Sequence, residues 1–167
     1  MSQSENSPFW TFSLAFYRQP GVAEACLRLQ DEAGVDVNVL LFLLWQASGG
    51  RTLSRAEVAA LDQHVASWRQ TAVIPLRILR RALKSPPAML TADVAEGYRS
   101  RIKAVELEAE RLQQQAMFQW SEATRPGQLA SDIHQAAAAS LAAYGIVLET
   151  SLPSGPVSDI LKALDAM

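Results

Sequence analysis

The sequence predicts an all-α fold: a single-domain bundle of about seven helices around one buried central helix, residues 37–47, with a short C-terminal helix. Three observations carry that expectation. From Val37 to Trp45 only Asn38 is polar, and a helix that is apolar on every side has no face to show to water. The segments around it place apolar residues three and four apart, as amphipathic helices do. No stretch sustains a two-residue alternation, so no sheet is expected.

Taken in order, Ser7 and Pro8 suit the N-cap and first position of a helix carrying Phe9, Phe12 and Phe16 at helical spacing. Pro20-Gly21 separates it from a second helix with Val22, Ala25, Cys26 and Leu29 on one face, and Gly34 is its left-handed stop. Asp36 caps the central helix, and Ser48-Gly49-Gly50 ends it. Ser54 and Glu57 have capping-box spacing before a fourth helix lined by Val58, Leu61, Val65 and Trp68. Pro75 predicts a break or kink near residues 72–74. The fifth helix, about 75–84, turns Leu76, Leu79 and Leu83 inward and leaves Arg77, Arg80, Arg81 and Lys84 outside.

A long sixth helix starts near Thr91 and reaches about Glu122. Val94, Tyr98, Ile102, Val105, Ala109, Leu112 and Ala116 step along it as a bundle seam, while Gln113-Gln114-Gln115 faces water. Arg125-Pro126-Gly127 makes a turn. The seventh helix carries Leu129, Ile133, Ala137, Leu141 and Tyr144, with Gly145 as its cap. The expected organisation is a helical domain over 1–146, a linker over 147–156 and a short amphipathic segment over 157–167. That last segment is too short to be a stable helix alone, so it docks on its own domain or on a partner.

Formal net charge is −2 and hydrophobic content 49%, which argues for a globular chain and against a non-specific polyanion binder. The charge is uneven: two basic and five acidic residues in 1–50, ten and four in 51–103, three and eight in 104–167. A basic middle between acidic ends implies charge pairing between helices, or one basic face. One cysteine, Cys26, allows no intrachain disulfide. Residues 1–6 are polar without a basic n-region, and the run 39–45 is far below the roughly 20 residues that span a bilayer. A cytoplasmic protein with no membrane span is expected.

The chemical motifs are sparse. His64 and His134 stand far apart without neighbouring ligands, so no metal is expected. Cys26 lies on an apolar stripe and reads as a buried small residue. No serine has a nucleophile-elbow setting and no glycine-rich phosphate loop precedes a helix, so no catalytic residue and no cofactor is assigned. Residues 22–46 read as helix, turn, helix, but the second helix offers apolar side chains where base edges need polar ones, so nucleic acid is not an expected partner. Arg69, Arg77, Arg80, Arg81 and Lys84 form a candidate patch for an anion or an acidic protein. The plainer reading pairs them with Glu106, Glu108 and Glu110 of the long helix. Asp31, Asp36, Asn38 and Trp45 are the candidate pocket residues, with Gln46 beside them. The carboxylates Asp31, Glu32 and Asp36 cluster as a divalent cation would require, but the plainer reading is that Asp36 caps while Asp31 and Glu32 lie on a solvated helix end.

Phe9-Trp10-x-Phe12-Ser13-Leu14, Cys26-Leu27-x-Leu29-Gln30-Asp31 and Gly34-Val35-Asp36-Val37-Asn38-x-Leu40-Leu41-Phe42 together resemble an uncharacterised proteobacterial family, a domain of unknown function. Trp68-Arg69, Pro75-Leu76-Arg77 and Arg80-Arg81-x-Leu83-Lys84 fit it too. The resemblance covers about residues 8–115 and implies a bacterial cytoplasmic protein, without an activity or a site. The leading expectation is therefore a non-catalytic interaction or regulatory module with a protein partner, using the Arg69–Lys84 surface. The runner-up is a small-molecule-binding protein or enzyme with its pocket near Asp36. A third option, a homodimer through 94–116, predicts an exposed apolar stripe at Ile102, Val105 and Leu112.

Overall fold

The computed structural model describes residues 6–167. Within them the chain forms α1 (Pro8–Tyr17), α2 (Val22–Ala33), α3 (Val37–Ser48), α4 (Arg55–Trp68), α5 (Ile74–Ala82), α6 (Ala92–Thr124), α7 (Ile133–Val147) and α8 (Ser154–Asp165). The helix starts follow their caps. Ser7 Oγ accepts from Trp10 N at 3.1 Å, Asp36 Oδ1 from Asn38 N at 2.9 Å, and Asp132 Oδ1 from Gln135 N at 2.7 Å. Ser54 and Glu57 close a reciprocal capping box at the head of α4.

α3 is the central element, as its composition requires. Val39 to Leu44 are all buried, and α1, α2, α6 and α7 pack around it. Phe9 and Phe16 of α1 are buried and Phe9 meets Phe42 edge-on, with centroids 5.3 Å apart. α8 lies on α2 and α7 with Ile160, Leu161 and Leu164 buried in the same core. Burying each such aliphatic side chain contributes about 2 kcal/mol, enough to hold a helix too short to persist alone.

The irregularity expected before Pro75 is a π-helical turn, Arg69–Val73, through which α4 continues into α5. Pro75 follows as the second residue of α5, and the widened turn, in which the Ile74 N–H reaches back to the Arg69 carbonyl, is what accommodates a proline in a continuing helix. Other expectations change. A minimal sheet exists after all. β1 (Arg51–Thr52) pairs antiparallel with β2 (Gln128–Leu129), Arg51 opposite Leu129, and two residues are too few to leave an alternating signature. The turn before β2 needs Gly127, whose φ is +86° and whose place would set a Cβ 3.2 Å from the Thr52 carbonyl oxygen.

α7 is also shifted. It begins at Ile133, so Leu129 lies outside it and is exposed, and Ile133 is exposed as well. Gly145 is interior to the helix and buried, not its cap. A Cβ there would come 3.0 Å from the Thr150 carbonyl oxygen, so its role is close approach rather than termination. On α6 the buried face is Ala95, Glu106, Ala109, Gln113, Gln114, Met117 and Ser121, whereas Val94, Tyr98, Val105 and Leu112 of the expected seam are exposed.

Candidate functional site

The polar groups converge at the N-terminus of α3. Asp36 Oδ2 accepts from Arg69 Nη1 at 2.9 Å and from Gln113 Nε2 at 2.7 Å, while the Asp36 N–H donates to Tyr144 Oη at 3.0 Å. One aspartate thus ties α3 to the π turn, α6 and α7. A carboxylate at a helix N-terminus also meets the positive end of the helix dipole. Arg69 donates a second bond to Asp62 at 2.8 Å. Burial alone would lower the Arg69 guanidinium, but the hydrogen bonds it donates to Asp62 and Asp36 outweigh it and hold its pKa above the ordinary value. Burial pushes the Tyr144 phenol well above its usual value, so it stays protonated. Two residues along, Asn38 Oδ1 accepts from Gln114 Nε2 at 2.9 Å.

The glutamine tract of α6 therefore does not face water. Gln113 and Gln114 are 1% and 2% exposed. The signal lay in position: Gln113 follows Ala109 by four residues and precedes Met117 by four, so it shares their inward face. What hides it is chemistry, since glutamine is mostly exposed and is buried when an acceptor waits for it.

A second group of charges fastens α5 to α6. Arg77 donates to Glu106 at 3.3 Å and Glu110 at 3.0 Å, and Arg80 chelates Glu106 through two nitrogens. Burial raises the Glu110 carboxyl above its ordinary range, with Arg77 opposing the shift. Arg81 reaches Asp31 on α2 at 3.1 Å. Glu108 instead pairs with Arg111 on its own helix. Of the five basic residues singled out in the sequence, Arg69, Arg77 and Arg80 are thus turned into the fold, while Arg81 and Lys84 are exposed.

The four pocket residues are dispersed. Asp31 is on the surface with Arg81, and Asp36 and Asn38 belong to the polar group at the head of α3. Trp45 stacks on Phe9 and, with Gln46, borders an open cleft of about 370 Å³ beside Arg51 and Arg125. Cys26 is buried, its thiol pushed up to about 12 by desolvation. His134 Nδ1 meets Asp165 at 2.8 Å. Among the described residues no group of three or more His, Cys, Asp or Glu could hold a metal ion, and no helix is long and apolar enough to cross a membrane.

The α5–α6 hairpin stands apart from this core. From Ile74 to Val105 only Ala95 is buried. Large apolar side chains remain in water along it: Ile78 on α5, Met89 in the connection, and Val94 (59%), Tyr98 (43%), Val105 (52%) and Leu112 (43%) on α6. Arg101 lies over the Tyr98 ring at 5.6 Å. α6 is 33 residues long, about 50 Å, and its stretch up to about Leu112 builds this arm.

No curated protein and no solved structure matches the chain significantly. A family model matches residues 8–117, which hold α1 to α5 and most of α6, and so the chain belongs to the family described as "Protein of unknown function (DUF2390)".

Proposed function

We propose that this protein is a non-catalytic interaction module whose contact surface is the α5–α6 arm. The observation that carries the reading is the arm itself. It leaves Ile78, Val94, Tyr98, Val105 and Leu112 exposed, while Arg77 and Arg80 clamp it through Glu106 and Glu110. An apolar flank that does not join its own core marks a place where another surface belongs. Rigidity lowers the entropic cost of using it. Arg81 in the last turn of α5 and Lys84 just beyond it supply an exposed basic edge that favours an acidic rim on the partner.

The test is site-specific photo-crosslinking in the native cell, with the reactive residue at Val94 or Ile78 and a control at exposed Ala60 of α4. Covalent adducts from the arm and none from Ala60 are expected. Equal yields from arm and control, or no adduct from the arm, would overturn the reading.

A further inference from the structure

Resting on that reading, we infer that the arm's partner is a second copy of the chain, and that the two α6 helices pair antiparallel. The exposed residues Val94, Tyr98, Arg101, Val105, Glu108 and Leu112 are spaced four, three, four, three, four. At about 100° per residue they lie within an arc of about 80°. That is a heptad seam nearly three repeats long, bordering the inward face that carries Ala95, Ala109 and Gln113.

Its two charged members select the direction. In a parallel homodimer, Arg101 faces Arg101 and Glu108 faces Glu108, which repels twice. In an antiparallel pair with its two-fold axis near residue 103, Val94 meets Leu112, Tyr98 meets Glu108, and Arg101 meets Val105. Arg101 already covers the Tyr98 ring, so it then stands one layer from the Glu108 of the other copy. The two-fold repeats that opposite-charge contact. Glu108 enters it from a half-exposed pair with Arg111 on the same helix, so little has to be unmade. The seam spans about 27 Å, and the same patch serves on both copies, as a closed dimer requires.

The experiment is sedimentation equilibrium of the full chain from nanomolar to sub-millimolar concentration, at low salt. The wild type is expected to associate to dimers and no further. Val105→Glu abolishes association with an unchanged circular dichroism melt. Arg101→Glu and Glu108→Arg each weaken it roughly tenfold, and the double reversal R101E/E108R restores it. A wild type that stays monomeric overturns the inference. So does a dimer that Val105→Glu leaves intact, or single reversals that the double does not rescue. A monomer whose arm still crosslinks to a different protein in the cell removes this inference alone and leaves the interaction module standing. An arm without adducts removes both.

Discussion

Arg69 and Asp36 meet at 2.9 Å across the head of the central helix, the aspartate side chain almost wholly withdrawn from water. Arg69 is the first residue of the π turn between α4 and α5. The helix terminus that most needs a negative cap is therefore also the anchor for the segment from which the arm departs. A buried carboxylate requires a partner, because desolvation is costly for an unpaired charge.

Removing that partner should be expensive. Arg69→Met keeps the aliphatic stem but leaves Asp36 with only Gln113 and the Asn38 amide to compensate its charge. A loss of about 3 kcal/mol is expected, read as a lower urea midpoint at unchanged slope. Asp62→Asn neutralises the more exposed of the two carboxylates that Arg69 Nη1 meets and should cost below about 1 kcal/mol.

The pair Asn38 and Gln114 makes a cleaner test of the buried polar layer. Asn38→Leu strands the Gln114 amide in the core and should cost about 2 kcal/mol. Asn38→Leu with Gln114→Leu removes both partners and should lie closer to the wild type than the single change does. A double-mutant cycle measures the coupling, expected to be about 1 kcal/mol or more. Strictly additive losses would show that the 2.9 Å contact contributes nothing specific.

Much of the architecture is legible in residue order. An apolar run with Asp36 before it and two glycines after it can only be an interior helix, and α3 is one. Capping chemistry places the starts of α1, α3 and α4 for the same reason: it is local, and local hydrogen bonds are written in adjacent residues. What periodicity cannot give is which of two apolar-rich flanks of a helix meets the core. On α6 the flank of Val94, Tyr98 and Leu112 is the more hydrophobic, yet the chain buries Glu106, Gln113 and Gln114. Their partners Arg80, Asp36 and Asn38 come from sequence positions 26, 77 and 76 residues away. Arg77 and Arg80 of α5 follow the same logic: carboxylates distant in sequence, on α6, decide that they turn inward while Arg81 stays exposed.

Acid sensitivity should localise partly to Glu57. Burial raises its carboxyl, but hydrogen bonds from the Gly127 N–H and from Ser54 outweigh that and hold it below the ordinary value. A carboxylate with a depressed pKa in the fold stabilises fully above its unfolded value, roughly pH 4.3, and loses that contribution as pH falls through the folded value. Glu57→Gln should flatten the acid side of a plot of urea midpoint against pH and leave the neutral side nearly parallel to wild type. Because Glu57 Oε1 holds Gly127 N at 2.8 Å, amide exchange at Gly127 should accelerate in the variant as well.

The docking of α8 gives a chemical readout through Cys26. Its thiol is fully buried and raised to about 12 by desolvation, so at neutral pH the reactive thiolate is scarce and inaccessible. α8 packs on α2, the helix that carries Cys26, and its Ile160 is buried in the same core. Alkylation of the native protein should therefore be slow and follow opening of the structure. Ile160→Ala leaves a cavity worth about 2–4 kcal/mol in global stability. If α8 opens as a local unit, labelling of Cys26 should accelerate in that variant at denaturant concentrations too low to shift the circular dichroism signal. If α8 releases only with the whole core, labelling and circular dichroism should move together, and Leu141→Ala on α7 should raise the rate in the same proportion to its own loss of stability. The ratio of labelling rate to global stability across the two variants therefore measures whether the last helix is a separable unit or part of the cooperative core.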